Sequence, residues 1–128
     1  MQITRQADYA LRTIIYLSQL EKGKKAPTNI IAQKQQIPPS FLAKIISQLC
    51  VVGIIHTTKG AHGGVSLAKS PQEITVLAVI EAIDGPVTLN ECTLNPEICN
   101  FSKDCSMHRI WCDLRKELVK RLATTTFE

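Results

Sequence analysis

The positions of proline and glycine constrain this 128-residue chain more than any other feature. Proline lacks the N–H that a helix interior needs but is tolerated in a first helical turn, and glycine commonly sits just past a helix end. Behind Thr4 as N-cap, Ala7, Ala10, Leu11 and Ile14 recur at helical spacing, which predicts a first helix over residues 5–20 that fades into the polar Glu21-Lys22-Gly23-Lys24-Lys25 loop. Pro27-Thr28 then opens a short segment from Asn29 to Gln36. Ile37-Pro38-Pro39 breaks it, and Pro39 starts a third helix that stops at Gly53. Two helices joined by a tight turn therefore follow helix one.

The third helix has two unlike faces. Leu42, Ile45, Ile46 and Leu49 form an apolar stripe, whereas Ser40, Ala43, Lys44 and Ser47 share the other side. Short side chains permit close approach to a major groove, Lys44 can reach a phosphate or a guanine edge, and the serines can donate to either. Alone, this pattern would describe an ordinary solvated face. Its context decides otherwise: Ile54-Ile55-His56-Thr57-Thr58 and Val65-Ser66-Leu67-Ala68 read as strands around the tip Lys59-Gly60-Ala61-His62-Gly63-Gly64. Helix-turn-helix plus hairpin is a winged helix-turn-helix, in which Lys59, Gly60, His62 and Gly63 bring cationic groups and backbone N–H groups to a phosphate or a narrow minor groove. A nucleotide-binding phosphate loop is discounted, because no Lys-Ser/Thr and no helix follows the glycines.

Ser70-Pro71-Gln72-Glu73 has the form of a capping box, ahead of a core helix with Val76, Leu77, Val79, Ile80 and Ile83 that ends at Asp84-Gly85-Pro86. Val87 to Asp104 shows no period and reads as a functional loop. From Ser106 a last helix carries Met107, Ile110, Trp111, Leu114, Leu118 and Leu122 along one stripe, opposite Arg109, Asp113, Lys116, Glu117 and Lys120. The stripe needs an apolar partner, either a second copy of itself or the rest of its own domain. The fold class is thus mainly α with a small β-hairpin wing: a winged helix-turn-helix over residues 1–86, a loop over 87–105 and a dimerisation helix over 106–128.

The loop holds the chain's chemistry: Cys92-x6-Cys99-x5-Cys105-x2-His108. Three thiolates and an imidazole complete a four-ligand shell for an iron-sulfur cluster or zinc, although separate unliganded thiols would share this spacing. No C-x2-C pair of the zinc-ribbon kind occurs. Cys50 follows the core stripe of helix three and reads as a packed thiol, and Cys112 reads first as a core residue, with a spare ligand or redox thiol as alternatives. Five cysteines, no signal-peptide pattern and no membrane-spanning stretch predict a cytoplasmic protein without structural disulfides and with no membrane partner. Residues 1–84 hold nine Lys/Arg against five Asp/Glu, whereas residues 85–128 hold six of each. The excess on the first lobe suits DNA, or serves solubility alone.

Taken together, these residues resemble the small winged-helix regulators that include the iron-sulfur cluster regulator IscR and the nitric-oxide-sensing repressor NsrR. The resemblance covers nearly the whole chain and rests on Ile3-Thr4, Asp8-Tyr9-Ala10-Leu11-Arg12, Ile37-Pro38 to Phe41-Leu42, Lys44-Ile45, Gly53-Ile54-Ile55, Lys59-Gly60, Gly63-Gly64 and the three loop cysteines. It implies a homodimer with crossing C-terminal helices, a palindromic operator, DNA contacts that extend to Thr28 and Phe41, and an iron-sulfur cluster held by Cys92, Cys99 and Cys105. The fourth ligand straddles two branches: His108 looks like the pattern for a two-iron cluster, and Asp8 from the partner chain like that for a four-iron cluster. Local spacing favours His108 and two irons, because a His three residues after Cys105 on an opening helical turn needs no second chain. The first cysteine gap is one residue longer than is common in the family, and Ala43 replaces an acidic residue seen in some members.

The resulting expectation is a non-enzymatic transcription regulator, a repressor or redox sensor whose cluster state sets its DNA affinity. A cluster-free regulator of the same fold that answers to thiol oxidation or a partner protein is the first alternative. A small iron-sulfur or zinc protein without DNA binding is the second, but it has no use for the wing.

Overall fold

Thr4 caps the first helix as expected, its hydroxyl accepting from the Ala7 N–H at 3.1 Å. In the computed structural model, which describes residues 2–61, 63–90, 93–95, 97 and 105–128, helix α1 spans Arg5–Ser18, α2 Thr28–Gln35, α3 Pro39–Val51, α4 Val76–Asp84 and α5 Ser106–Thr124. Strands β1 (Ile55–Thr58) and β2 (Gly64–Leu67) pair antiparallel, with Ile55 opposite Leu67 and Thr58 opposite Gly64. No described helix is long and apolar enough to cross a membrane.

The core lies where α1, α3 and α4 meet, and the apolar stripes put it there. Ile14, Leu42, Ile45, Leu49, Val79 and Ile80 are all essentially inaccessible, and β1 and β2 close the core with Ile55 and Val65. Burial of each such side chain contributes about 1.5–3 kcal/mol. The one buried polar residue among those described, Thr13, donates its hydroxyl to the Tyr9 carbonyl at 2.8 Å, so no polar group is stranded there. Cys50 packs against this core, as its place after the stripe implies.

Two elements differ from the sequence expectation. Ser70 and Glu73 do bond to each other, at 2.8 Å, but around a short 3-10 turn over Pro71–Glu73 instead of the start of α4. The helix begins only at Val76, because Ile74 is drawn into the core and Thr75 supplies the cap, accepting from the Ala78 N–H at 3.0 Å. At the other end α5 stops at Thr124. The last residues return along the start of α4, where the Val76 N–H donates to the Thr125 carbonyl at 2.9 Å and the Phe127 N–H to that of Pro71 at 3.2 Å. Phe127 thereby packs onto the core.

Candidate nucleic-acid interface and metal-ligand cluster

The reading face follows from how α3 is buried. With Leu42, Ile45, Ile46 and Leu49 turned into the core, Ser40, Phe41, Ala43, Lys44 and Ser47 are all exposed. Thr28 opens α2 and is also exposed. Between α2 and α3 runs a groove of about 550 Å³ onto which Thr28, Ala43, Asn29 and Gln33 open. Asn29 and Gln33 were missed in the sequence. Their signal was the i, i+4 spacing of two amides on a helix whose apolar residues lie elsewhere. Phe41 lies 6.2 Å from the Tyr9 ring, over which the Arg12 guanidinium sits at 5.4 Å, so the edge of the face carries an aromatic pair and a cation.

At the wing, Lys59 and Gly60 are exposed, Gly63 is half-buried, and His62 lies outside the described residues. The Gly63 N–H donates to the Gly60 carbonyl at 3.0 Å, and a Cβ on Gly63 would collide with the Thr58 carbonyl, so position 63 has room for glycine alone. A Cβ on Gly64 would lie 2.7 Å from the Ala26 carbonyl. That contact lets Ala26 and Val65 exchange backbone hydrogen bonds at 2.8 and 2.9 Å and fastens the hairpin to the strand-like lead into α2. Lys25 adds a bond from Nζ to the Thr58 hydroxyl at 2.8 Å. The candidate reading helix and the wing tip thus belong to one assembly whose exposed cations include Lys25, Lys34, Lys44 and Lys59.

Of the thiol cluster, Cys92 and Cys99 lie outside the described residues. Cys105 is the half-buried N-cap residue of α5, and His108 lies on the helix's first turn, also half-buried. The His108 Nε2 lies 3.5 Å from the Cys112 thiol, while its Nδ1 is shut off from water and has no hydrogen-bond partner among the described residues. Cys112 is half-buried beside this imidazole and outside the apolar core, so the expectation of a core residue is corrected: its i+4 position puts it on the His108 side of α5. Asp8 is exposed on α1 and pairs with Arg12 at 2.9 Å. Among the described residues no three metal-ligating side chains are gathered.

The start of the cluster segment is tied to α5, because the Arg115 Nε donates to the Val87 carbonyl at 2.7 Å. Of the α5 stripe, Trp111, Leu118 and Leu122 are half-buried, but Met107, Ile110 and Leu114 remain 44, 46 and 41% exposed.

Residues 3–128 match the family described as Rrf2, iron-dependent transcriptional regulator. The chain is 37% identical over 109 residues to the HTH-type transcriptional regulator NsrR of Halalkalibacterium halodurans, covering 79% of this chain and 74% of that one. Among solved structures it is similar to CymR, the global cysteine regulator of B. subtilis, with a TM-score of 0.82 and 24% identity over 99% of this chain and 93% of the other. It is also similar to T. potens IscR, with a TM-score of 0.79 and 20% identity over 99% and 83% of the two chains.

Proposed function

Because the chain belongs to the Rrf2 family of transcriptional regulators, whose members bind DNA and are not enzymes, we propose that it is a homodimeric regulator whose affinity for a palindromic operator is set by an iron-sulfur cluster on Cys92, Cys99, Cys105 and His108. The observation that carries the cluster reading is the Nδ1 of His108, buried without a partner among the described residues, three positions after the half-buried Cys105. A buried nitrogen with no partner costs free energy that ligation would recover. The donor set fits, since three thiolates and one imidazole suit iron. When bound, the cluster supplies a redox-active and chemically labile centre open to attack by oxygen or nitric oxide.

The chain's own residues account for the coupling to DNA. Ligation by Cys105 and His108 would anchor the cluster at the start of α5, and the Arg115 bond to Val87 would pass that constraint to the end of α4. α4 packs on α1 and α3, so the setting of α5 reaches the reading helix. In a dimer through the exposed Met107, Ile110 and Leu114, the same setting fixes the distance between two reading heads, and a ligand acts by favouring one such arrangement over another. The contacts to DNA fall to Thr28, Ser40, Phe41, Ala43, Lys44 and Ser47 in the major groove and to Lys59, Gly60, His62 and Gly63 at the wing.

Anaerobic purification with iron and sulfide analysis, followed by gel shifts with and without the metal, tests this reading. About two irons per chain, with a spectrum altered by His108→Ala and indifferent to Asp8→Ala, are expected. Four irons with the reverse sensitivity would move the fourth ligand to Asp8 of the partner chain. A colourless native protein that binds its operator equally well before and after oxidation would leave no role for the cluster. That result would lead instead to the cluster-free regulator of the same fold that answers to thiol oxidation or a partner protein.

A further inference from the structure

Cys112 matches none of the residues on which the family resemblance rests, yet its thiol stands 3.5 Å from the Nε2 of His108. The other ring nitrogen, Nδ1, is buried and has no partner among the described residues. A neutral imidazole carries one proton, and which nitrogen holds it is decided by the hydrogen bond available to each. If Nδ1 held the proton, a buried donor would be left unsatisfied, with only a weak thiol S–H to serve Nε2. If Nε2 holds it, the N–H donates to the Cys112 sulfur, and only a bare lone pair is left at Nδ1. Orphaned buried donors are the rarer and costlier case, so the second arrangement wins.

We infer that Cys112 is a positioning residue: it accepts a hydrogen bond from the Nε2–H of His108, holds the ring in that tautomer, and so presents the bare Nδ1 as the metal donor. The inference rests on the reading of His108 as a cluster ligand and deepens it by naming the donor atom and the group that sets it. The i, i+4 relation makes the device local to two turns of α5, so it is in place before any metal arrives. Partners of this kind on the far nitrogen of a ligating histidine orient the ring and raise its basicity.

Two measurements test it. In the metal-free chain, long-range proton–nitrogen correlation spectra of the histidine rings read the tautomer directly. Wild type and Cys112→Ser, whose hydroxyl also accepts a hydrogen bond, are expected to hold His108 almost wholly protonated at Nε2, and Cys112→Ala to relax to a mixture. A wild-type ring protonated at Nδ1, or a tautomer ratio unchanged by Cys112→Ala, overturns the inference. In the loaded protein, iron transfer to a chelator is expected to be about tenfold faster in Cys112→Ala, near wild type in Cys112→Ser, and no faster in the Cys112→Ala/His108→Ala double variant than in His108→Ala alone. A Cys112→Ala variant that holds iron as well as wild type, or effects that multiply in the double variant, also overturns it. A wild-type chain that takes up no iron removes the cluster reading instead, and the spectra of the metal-free chain then still decide for or against Cys112.

Discussion

Replacing Leu114 isolates what the C-terminal helix contributes to association. Its side chain is 41% exposed in the single chain. Full burial of a leucine is worth about 1.5–3 kcal/mol, so closing a two-fold interface over the remaining surface gains roughly 1 kcal/mol per chain and about 2 kcal/mol per dimer. Leu114→Ala should therefore raise the dimer dissociation constant about 10- to 30-fold. Leu114→Glu adds two carboxylates to an apolar seam at a cost of several kcal/mol, which amounts to more than about a thousandfold. Because α5 buries no residue fully within its own chain, the monomer should keep its helical signal and lose only a little thermal stability. Sedimentation equilibrium across nanomolar to micromolar concentrations, with circular dichroism alongside, measures both. A wild-type chain that sediments as a monomer at micromolar concentration, or a Leu114→Ala variant with an unchanged dissociation constant, would refute the interface.

Lys44→Ala and Lys59→Ala should each weaken operator binding and lower the slope of log affinity against log salt by about one, whereas Glu117→Ala, exposed on α5, should do neither in fluorescence anisotropy titrations. Cys105→Ala should abolish the visible absorption of anaerobically purified protein, while Cys50→Ala, a change at the core edge, should leave it intact. Ile45 is wholly buried in α3, and Ile45→Ala should cost about 2–5 kcal/mol in urea unfolding. Gly64→Ala should loosen the wing, because the added methyl meets the Ala26 carbonyl; operator affinity should fall while far-ultraviolet dichroism stays constant.

The parts of this molecule that could be read from the chain are those with local causes. Pro39 at the first turn of α3, Thr4 at the cap of α1 and the apolar stripe of Leu42, Ile45, Ile46 and Leu49 each act within a few residues, and each element lies where they place it. The start of α4 was misread because two caps compete over five residues, and the choice falls to Ile74, whose burial depends on distant partners. The return of Thr126 to pair with Thr75 carries no local signal at all. The exposed face of α3 was legible from periodicity, whereas Asn29 and Gln33 join it only once α2 and α3 are set side by side. The meeting of His108 with Cys112 was available from spacing. The apolar residues around Cys112 mask that signal, since they give the thiol the look of a core position.

The Ala26–Val65 bridge has a mechanical consequence for the operator. A hairpin joined to its domain only through its own two strands could swing to meet whatever groove width a sequence offers. Here β2 is also held by backbone bonds to the lead into α2, and β1 by the Lys25 bond to Thr58. If the wing tip and helix α3 contact DNA as proposed, the span between them would act as a fixed gauge, and a mismatch with it would be taken up by bending or narrowing the duplex. Base steps that neither element touches would then affect affinity through their stiffness, and pliable operators would be selected at positions where the protein makes no contact.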